Sequence, residues 1–189
     1  EDINTLCGPN RVIVATRKRK SMSNQILRNK AICRATESES VTSECQRCGA
    51  RGCRSCKLMA KGGEVIVING RSLKIPMDYN CKTSNVIYVA QCRLCDPTVI
   101  GTESTYFGQT VQELHARFNG HRSKFKSENN EYEKSALALH AFTVHRDDFS
   151  LDIFKVAVVK RVSANSLNRE EHRFCELYKT NVTGLNRMK

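Results

Sequence analysis

The sequence predicts an α+β domain: a small central sheet, mixed or antiparallel, flanked by helices, with a basic linker ahead of it and a cysteine-rich, zinc-binding appendage. Three observations carry that expectation. Val86-Ile87-Tyr88-Val89 is a short, nearly continuous apolar run, and Ser104-Thr105-Tyr106-Phe107-Gly108 is a second one of strand length. Phe149 to Val159 first alternates and then runs apolar, which predicts a strand long enough to be central in the sheet. Helical runs lie between and after these strands, in residues 110–125, 136–145 and 163–180.

Composition narrows the class. A chain of 189 residues has room for one domain with an appendage, or for two small ones. A net charge of +12 and a pI near 9.4 favour a polyanionic partner, most simply nucleic acid, although ribosomal and chromatin proteins share that balance. The chain opens on Glu1 and not on Met, which reads as a fragment or a processed product. No apolar run approaches membrane-spanning length and no signal peptide precedes the chain, so a soluble, intracellular protein with no membrane partner is expected. Ten cysteines then point to metal and not to disulfides. Three Cys-x2-Cys pairs occur, Cys45/Cys48, Cys53/Cys56 and Cys92/Cys95, and both thiolates of such a turn can face one tetrahedral ion.

Taken in order, residues 1–44 form a basic linker ending in a hinge. Arg17-Lys18-Arg19-Lys20, then Arg28, Lys30 and Arg34, read as a solvated tail or as an arm that tracks phosphates. Residues 37–44 (ESESVTSE) are polar and acidic, a flexible hinge. Residues 45–81 form the Cys-rich module. Cys48, Cys53 and Cys56 are its safest zinc ligands, and Cys45 is the fourth by spacing. Arg47, Arg51, Arg54 and Lys57 are interleaved with them, a composition that lets a zinc knuckle rest on a phosphate backbone; Lys124 is assigned to nucleic acid as well. The bland role for this zinc is to replace a core too small to fold unaided. Between these ligands, Glu64 to Ile75 reads as a β-hairpin turning at Asn69-Gly70.

Residues 82–189 form the main domain. Gly108 is expected to let the chain turn out of the sheet, and Thr110 to cap the next helix with Glu113 closing a capping box. Val111, Leu114, Phe118 and Phe125 give that helix its apolar stripe, with Arg117 and His121 one turn apart beside it. Tyr88, Tyr106, Arg117 and His121 therefore converge on one small surface. Cys92 and Cys95 lie in the loop between the tyrosine strands, and the helix at 136–145 ends in His140-x4-His145. Two cysteines followed by two such histidines are the ligand set of a mixed zinc site, with four protein ligands and hence a supporting role. The last helix spans about Ser163 to Thr180, with Leu167, Phe174 and Tyr178 as its buried stripe. Glu171 falls on that stripe and needs a cation or a salt bridge to Arg117 or Arg173; its neighbour Glu170 is offset and expected in solvent.

These motifs, in this order, resemble the GIY-YIG nuclease domain. Val86-Ile87-Tyr88 stands where that family has Gly-Ile-Tyr, and Tyr106-Phe107-Gly108 where it has Tyr-Ile-Gly; Val86 and Phe107 are departures that keep the tyrosines and read as packing changes. The cysteine-bearing insert, with CKTSNVIYVAQC-x2-C, YFGQT and ARFNGHR, is similar to the endonuclease domain of Penelope-like retroelements, and VIVATRKRKSMSNQILRNKA is similar to the linker joining their reverse transcriptase to the endonuclease. The resemblance covers most of the chain. It implies Tyr88 as general base or relay to water, Tyr106 orienting the water or binding the phosphate, Arg117 on the scissile phosphate, His121 donating to a phosphate oxygen or assisting Tyr88, Glu171 holding one Mg²⁺ or Mn²⁺, and Asn186 of Gly184-Leu185-Asn186 in the catalytic set. It also implies Cys81 as an alternative fourth ligand of the first zinc site, and it supports the Cys92, Cys95, His140, His145 site. Implied partners are target DNA, template RNA and the reverse transcriptase part of the same polyprotein, in the nucleus. The expected product is a nick with a 3′-hydroxyl that primes reverse transcription. Two rivals remain: another GIY-YIG enzyme of DNA repair or structure-specific cleavage, and a non-catalytic zinc module that binds nucleic acid.

Overall fold

The computed structural model describes residues 47–96, 99, 104–126 and 128–186, all within one unit, Ser43–Lys189. The basic linker with Arg17, Lys18, Arg19 and Lys20, the acidic hinge and Cys45 lie outside the described residues. The first described segment is the cysteine loop, closed by a 3-10 turn at Arg54–Lys57. Strands β1 (Val65–Ile68) and β2 (Arg71–Lys74) follow as an antiparallel hairpin. Its turn falls where the sequence puts it. Asn69 and Gly70 take φ of 48° and 74°, the left-handed pair that a two-residue hairpin turn needs.

The rest of the fold is strand β3 (Val86–Cys92), strand β4 (Thr105–Thr110), helix α1 (Leu114–Arg122), helix α2 (Ala136–Val144), strand β5 (Phe154–Arg161), helix α3 (Leu167–Leu177) and the one-turn α4 (Thr180–Thr183). The class is mixed α+β, with small antiparallel sheets and packed helices. The larger sheet has the order β4-β3-β5. Its central strand is β3, and β5 lies at an edge, contrary to the expectation from length. The reason is burial. Side chains alternate across a strand, and both faces of β3 are covered. Val86, Tyr88, Ala90 and Cys92 pack with Leu114, Phe118, Leu137 and Ala141, while Ile87 and Val89 pack with Ile66, Ile68, Ile75, Phe107 and Leu167. A continuous apolar run is the signature of that position. The free edge of β5 is shielded by the chain leaving the cysteine loop: Ala60 N donates to Val156 O at 2.7 Å, and Val156 N to Leu58 O at 2.8 Å.

A two-stranded hairpin is marginal alone, so packing holds β1 and β2 in place. Ile66, Ile68, Leu73 and Ile75 are buried against the sheet. The Asn69 amide donates to Tyr178 O at 2.7 Å and to Thr183 Oγ1 at 2.9 Å, and Arg71 donates to Leu177 O at 2.7 Å. The hairpin tip thus satisfies carbonyls that the end of α3 leaves open. Phe107, where the resemblance leads one to expect Ile, stacks on Phe174 at 5.5 Å and meets Tyr178 at 5.4 Å. No described helix is long and apolar enough to cross a membrane.

Four local expectations are corrected. Gly108 does not turn the chain; it sits within β4 opposite Tyr88. A Cβ there would lie 2.5 Å from the Tyr88 Cζ and hydroxyl and 2.6 Å from Tyr106 Cε1, so glycine is needed for close approach. Thr110 caps no helix: it ends β4, and its hydroxyl accepts from Gln112 N at 3.1 Å in a tight turn. Helix α1 starts later, leaving Val111 exposed before it and Phe125 beyond it, where Phe125 packs 5.4 Å from Phe149. The last helix breaks at Lys179, whose φ of 55° separates α3 from α4.

Candidate functional site

The pairing of β3 with β4 sets Tyr88 opposite Gly108 and Ala90 opposite Tyr106, so the two tyrosine rings lie 6.2 Å apart. Phe118 on α1 meets the Tyr88 ring edge-on at 5.2 Å. One turn away, His121 Nε2 lies 3.0 Å from the Tyr88 hydroxyl, and Arg117 Nε donates to the same hydroxyl at 3.4 Å. His121 Nδ1 lies 3.2 Å from Ser135 Oγ at the start of α2. One arrangement of protons satisfies this whole chain. Arg117 donates to Tyr88, Tyr88 donates to Nε2, and Nδ1–H donates to Ser135.

Electrostatics agree with that direction. Burial, and then the Arg117 charge, push His121 down to about 4, so the imidazole is neutral at physiological pH. Burial, and then Tyr106, push the Tyr88 phenol well above its ordinary value, while Arg117 opposes the shift. Tyr88 is wholly buried and keeps its proton at rest. Tyr106 is half-buried; burial, and then Glu171, raise it too, and Arg117 also bonds its hydroxyl.

Tyr106 is one wall of a pocket of about 400 Å³ that is also lined by Asn168, Glu171, His172, Cys175 and Asn186. Glu171 is half-buried, raised by burial and bonded by Gln109, and no ion pair among the described residues uses it. The expectation for its neighbour is reversed. Glu170 is the buried one, paired with Lys160 at 2.7 Å and with Arg173 at 3.7 Å. Lys160 on β5 and Arg173 on α3 supply its cations, and among the described residues lining the pocket Glu171 is the single carboxylate. Asn186 also lines the pocket, but its amide is spent on β4: its Oδ1 accepts from Phe107 N at 2.7 Å and its Nδ2 donates to Phe107 O at 2.6 Å.

Two cysteine and histidine clusters stand apart from this pocket, and both can hold zinc. Cys48, Cys53, Cys56 and Cys81 form one, Cys92, Cys95, His140 and His145 the other, with ligand atoms in each all within 4.8 Å of one another. In the first, sulfurs lie 3.5 Å apart for Cys48 and Cys56 and 3.6 Å for Cys81 with Cys53 and with Cys56. A tetrahedral site with Zn–S bonds of about 2.3 Å places sulfurs about 3.8 Å apart, so the cage fits. In the second, His145 Nε2 lies 3.4 Å from Cys92 Sγ and 3.2 Å from Cys95 Sγ, and His140 Nε2 lies 3.5 Å from Cys95 Sγ. The chemistry of the donor set agrees. Burial and its three neighbouring thiols push Cys81 far up, and burial, then Cys92, pushes Cys95 up to about 12, so these thiols ionise only with a cation among them.

The residues assigned to nucleic acid divide. Arg51 and Arg54 border a wide groove beside the first zinc cluster. Arg47 lies near the second, in a cleft shared with Cys92 and Cys95. Lys124 is held by Glu131 at 2.7 Å. Ser135, Gln109 and Asn168 escaped the reading of the sequence. Ser135 carried a signal, since a serine before an apolar helical run marks a helix start, but its side chain makes no cap and turns to His121 instead. No protein-family model, no curated protein and no solved structure matches this chain.

Proposed function

We propose that this protein is a divalent-metal-dependent DNA endonuclease of the GIY-YIG type that nicks its target for a Penelope-like retroelement. The observation that carries the reading is the joining of two features. A buried Tyr88–His121–Ser135 proton chain, bridged by Arg117, adjoins Tyr106, and Tyr106 lines a pocket in which Glu171 is the only carboxylate among the described residues.

The roles follow from those positions. Arg117 is the exposed cation nearest the phenols, and its planar fork suits two oxygens of the scissile phosphate. Tyr106 orients the attacking water, because it is the phenol that faces the pocket. Tyr88 relays: it passes its own proton to the neutral His121 Nε2 and takes up in exchange the proton of the water that Tyr106 orients. Glu171 would hold one Mg²⁺ or Mn²⁺, which when bound supplies positive charge for the leaving 3′-oxygen. Asn186 fixes the edge of β4 and thereby the Tyr106 wall. The product is a 3′-hydroxyl and a 5′-phosphate, suited to prime reverse transcription. Target DNA, template RNA and the polymerase part of the same polyprotein are the partners of this reading, and the nucleus its site of action.

The test is nicking by the parent and by Tyr88→Phe, at matched zinc content, followed by extension of the nicked ends with a DNA polymerase. The expected result is extendable ends from the parent and a loss of roughly 100-fold or more in the variant, the usual weight of one acid–base group. A variant that nicks like the parent would remove Tyr88 from the chemistry. A parent that binds DNA and never nicks would leave a zinc-dependent binding module.

A further inference from the structure

A groove of about 770 Å³ runs beside the first zinc cluster, away from the tyrosine pocket. Three separate segments supply its cations: Arg51 and Arg54 from the cysteine loop, Lys82 from the turn after Cys81, and Arg122 and Lys126 from the end of α1 and just beyond. Among the described residues no Asp or Glu lines it; His115 on its wall pairs with Glu113 at 3.1 Å, and its arginines and lysines enter none of the ion pairs of the described residues. A zinc ion bound by four thiolates carries a charge of about −2. The groove cations outnumber that charge, so the groove stays positive when the metal is present. Ser55, Asn119 and Ser123 add neutral hydrogen-bonding groups.

We propose that this groove seats the sugar–phosphate backbone of duplex DNA, as a binding site distinct from the tyrosine pocket; the choice of DNA rests on the proposed nuclease reading. Phosphate seats are made of Arg, Lys, Ser and Asn side chains in this manner. Single-strand sites add aromatic platforms for unstacked bases, and among the described residues no Phe, Tyr or Trp lines this groove. The two sites flank one helix. At 3.6 residues per turn, His115 and Arg117 on α1 point about 160° apart, and Asn119 and Arg122 share the His115 side. A helix with side chains is about 10–12 Å across, and the major groove of a duplex is about 12 Å wide. A duplex over α1 can therefore offer phosphates to both sides of it. The outward side between them carries Gly120 and Ser123, which are small and exposed.

The experiment uses the full zinc-loaded chain without added Mg²⁺ or Mn²⁺. Binding of a fluorescent DNA duplex of about two helical turns is measured against salt for three proteins: the parent, Arg122→Gln with Lys126→Gln, and the equal charge loss Lys74→Gln with Arg161→Gln. Each phosphate contact contributes about −0.9 to the slope of log K against log salt. The groove variant should flatten that slope by about two and weaken binding several-fold, with the control near the parent. Arg51→Gln with Arg54→Gln, at unchanged zinc content, should repeat the result. Equal flattening in the control would overturn the proposal, because affinity would then follow net charge alone. So would a single strand that binds as tightly as the duplex with the same loss in the groove variant, or duplex RNA bound in preference to DNA. Nicking is read separately. A chain that never nicks yet shows the slope change keeps the groove and loses the nuclease; a chain that nicks, with a groove variant binding like the parent, does the reverse.

Discussion

At the residue scale, the account turns on His121 being neutral. It is buried, and burial together with Arg117 holds its pKa near 4 in the folded chain, against about 6.5 when exposed. The unfolded chain therefore binds more protons through that window. Stability from this group is complete above about pH 6.5 and is lost as pH falls toward 4. Between pH 7 and pH 5 the loss is about 2 kcal/mol, measurable as a shift in the urea midpoint of the parent relative to His121→Gln. Identical pH dependence in both chains would show that His121 is not buried neutral. Glycine 108 is a second residue-scale case. Its substitute Cβ would meet Tyr88 and Tyr106 at 2.5–2.6 Å. Gly108→Ala should cost about 1–3 kcal/mol by overpacking, with a larger loss of nicking, because the atoms displaced are those of the phenols. Adjacent carboxylates show what one residue in a sequence hides. The helical stripe placed Glu171 inward and Glu170 outward, but Lys160 comes from a strand, and no local pattern announces that it claims Glu170.

At the element scale, helix α2 joins two sites. Its first flank, Ser135, bonds His121, and its far end carries His140 and His145 of the second zinc cluster. A shift of this helix therefore misplaces the proton acceptor of the chain. Ser135→Ala should lower nicking roughly 10-fold at unchanged zinc content and should move the acid limb of the pH–rate profile. Loss of rate with an unmoved profile would mean that Ser135 serves packing alone. Strand existence was legible here because β3 is apolar on both faces, and the hairpin was legible because Asn69-Gly70 has one common use. Boundaries were not. Thr110 and Glu113 spell a capping box, yet pairing with Val86 keeps Thr110 in β4 and postpones α1. The break at Lys179 was equally hidden, since Asn69 and Arg71 reach it from more than a hundred residues earlier.

At the scale of the whole molecule, metal and sheet form one body. Cys81 lies in the core with Leu58, Leu114 and Phe118, and Cys92 ends the central strand, so the first cluster shares a residue with the core and the second shares one with the sheet. The short cysteine pairs were legible because a metal-binding turn is local. Spacing pointed to Cys45 as the fourth ligand and only the resemblance pointed to Cys81, because Cys81 meets Cys53 and Cys56 across the intervening hairpin. The convergence of the tyrosines, Arg117 and His121 was legible from strand and helix spacing; that Glu171 shares a pocket with Tyr106 was not, because α3 comes much later in the chain and only tertiary packing sets it beside β4. The most direct test of the central claim is nicking of supercoiled plasmid in Mg²⁺ or Mn²⁺ by the parent and by Glu171→Gln, with equal zinc content in both. The account predicts metal-dependent open circle from the parent and almost none from the variant. Equal nicking by both proteins would contradict it.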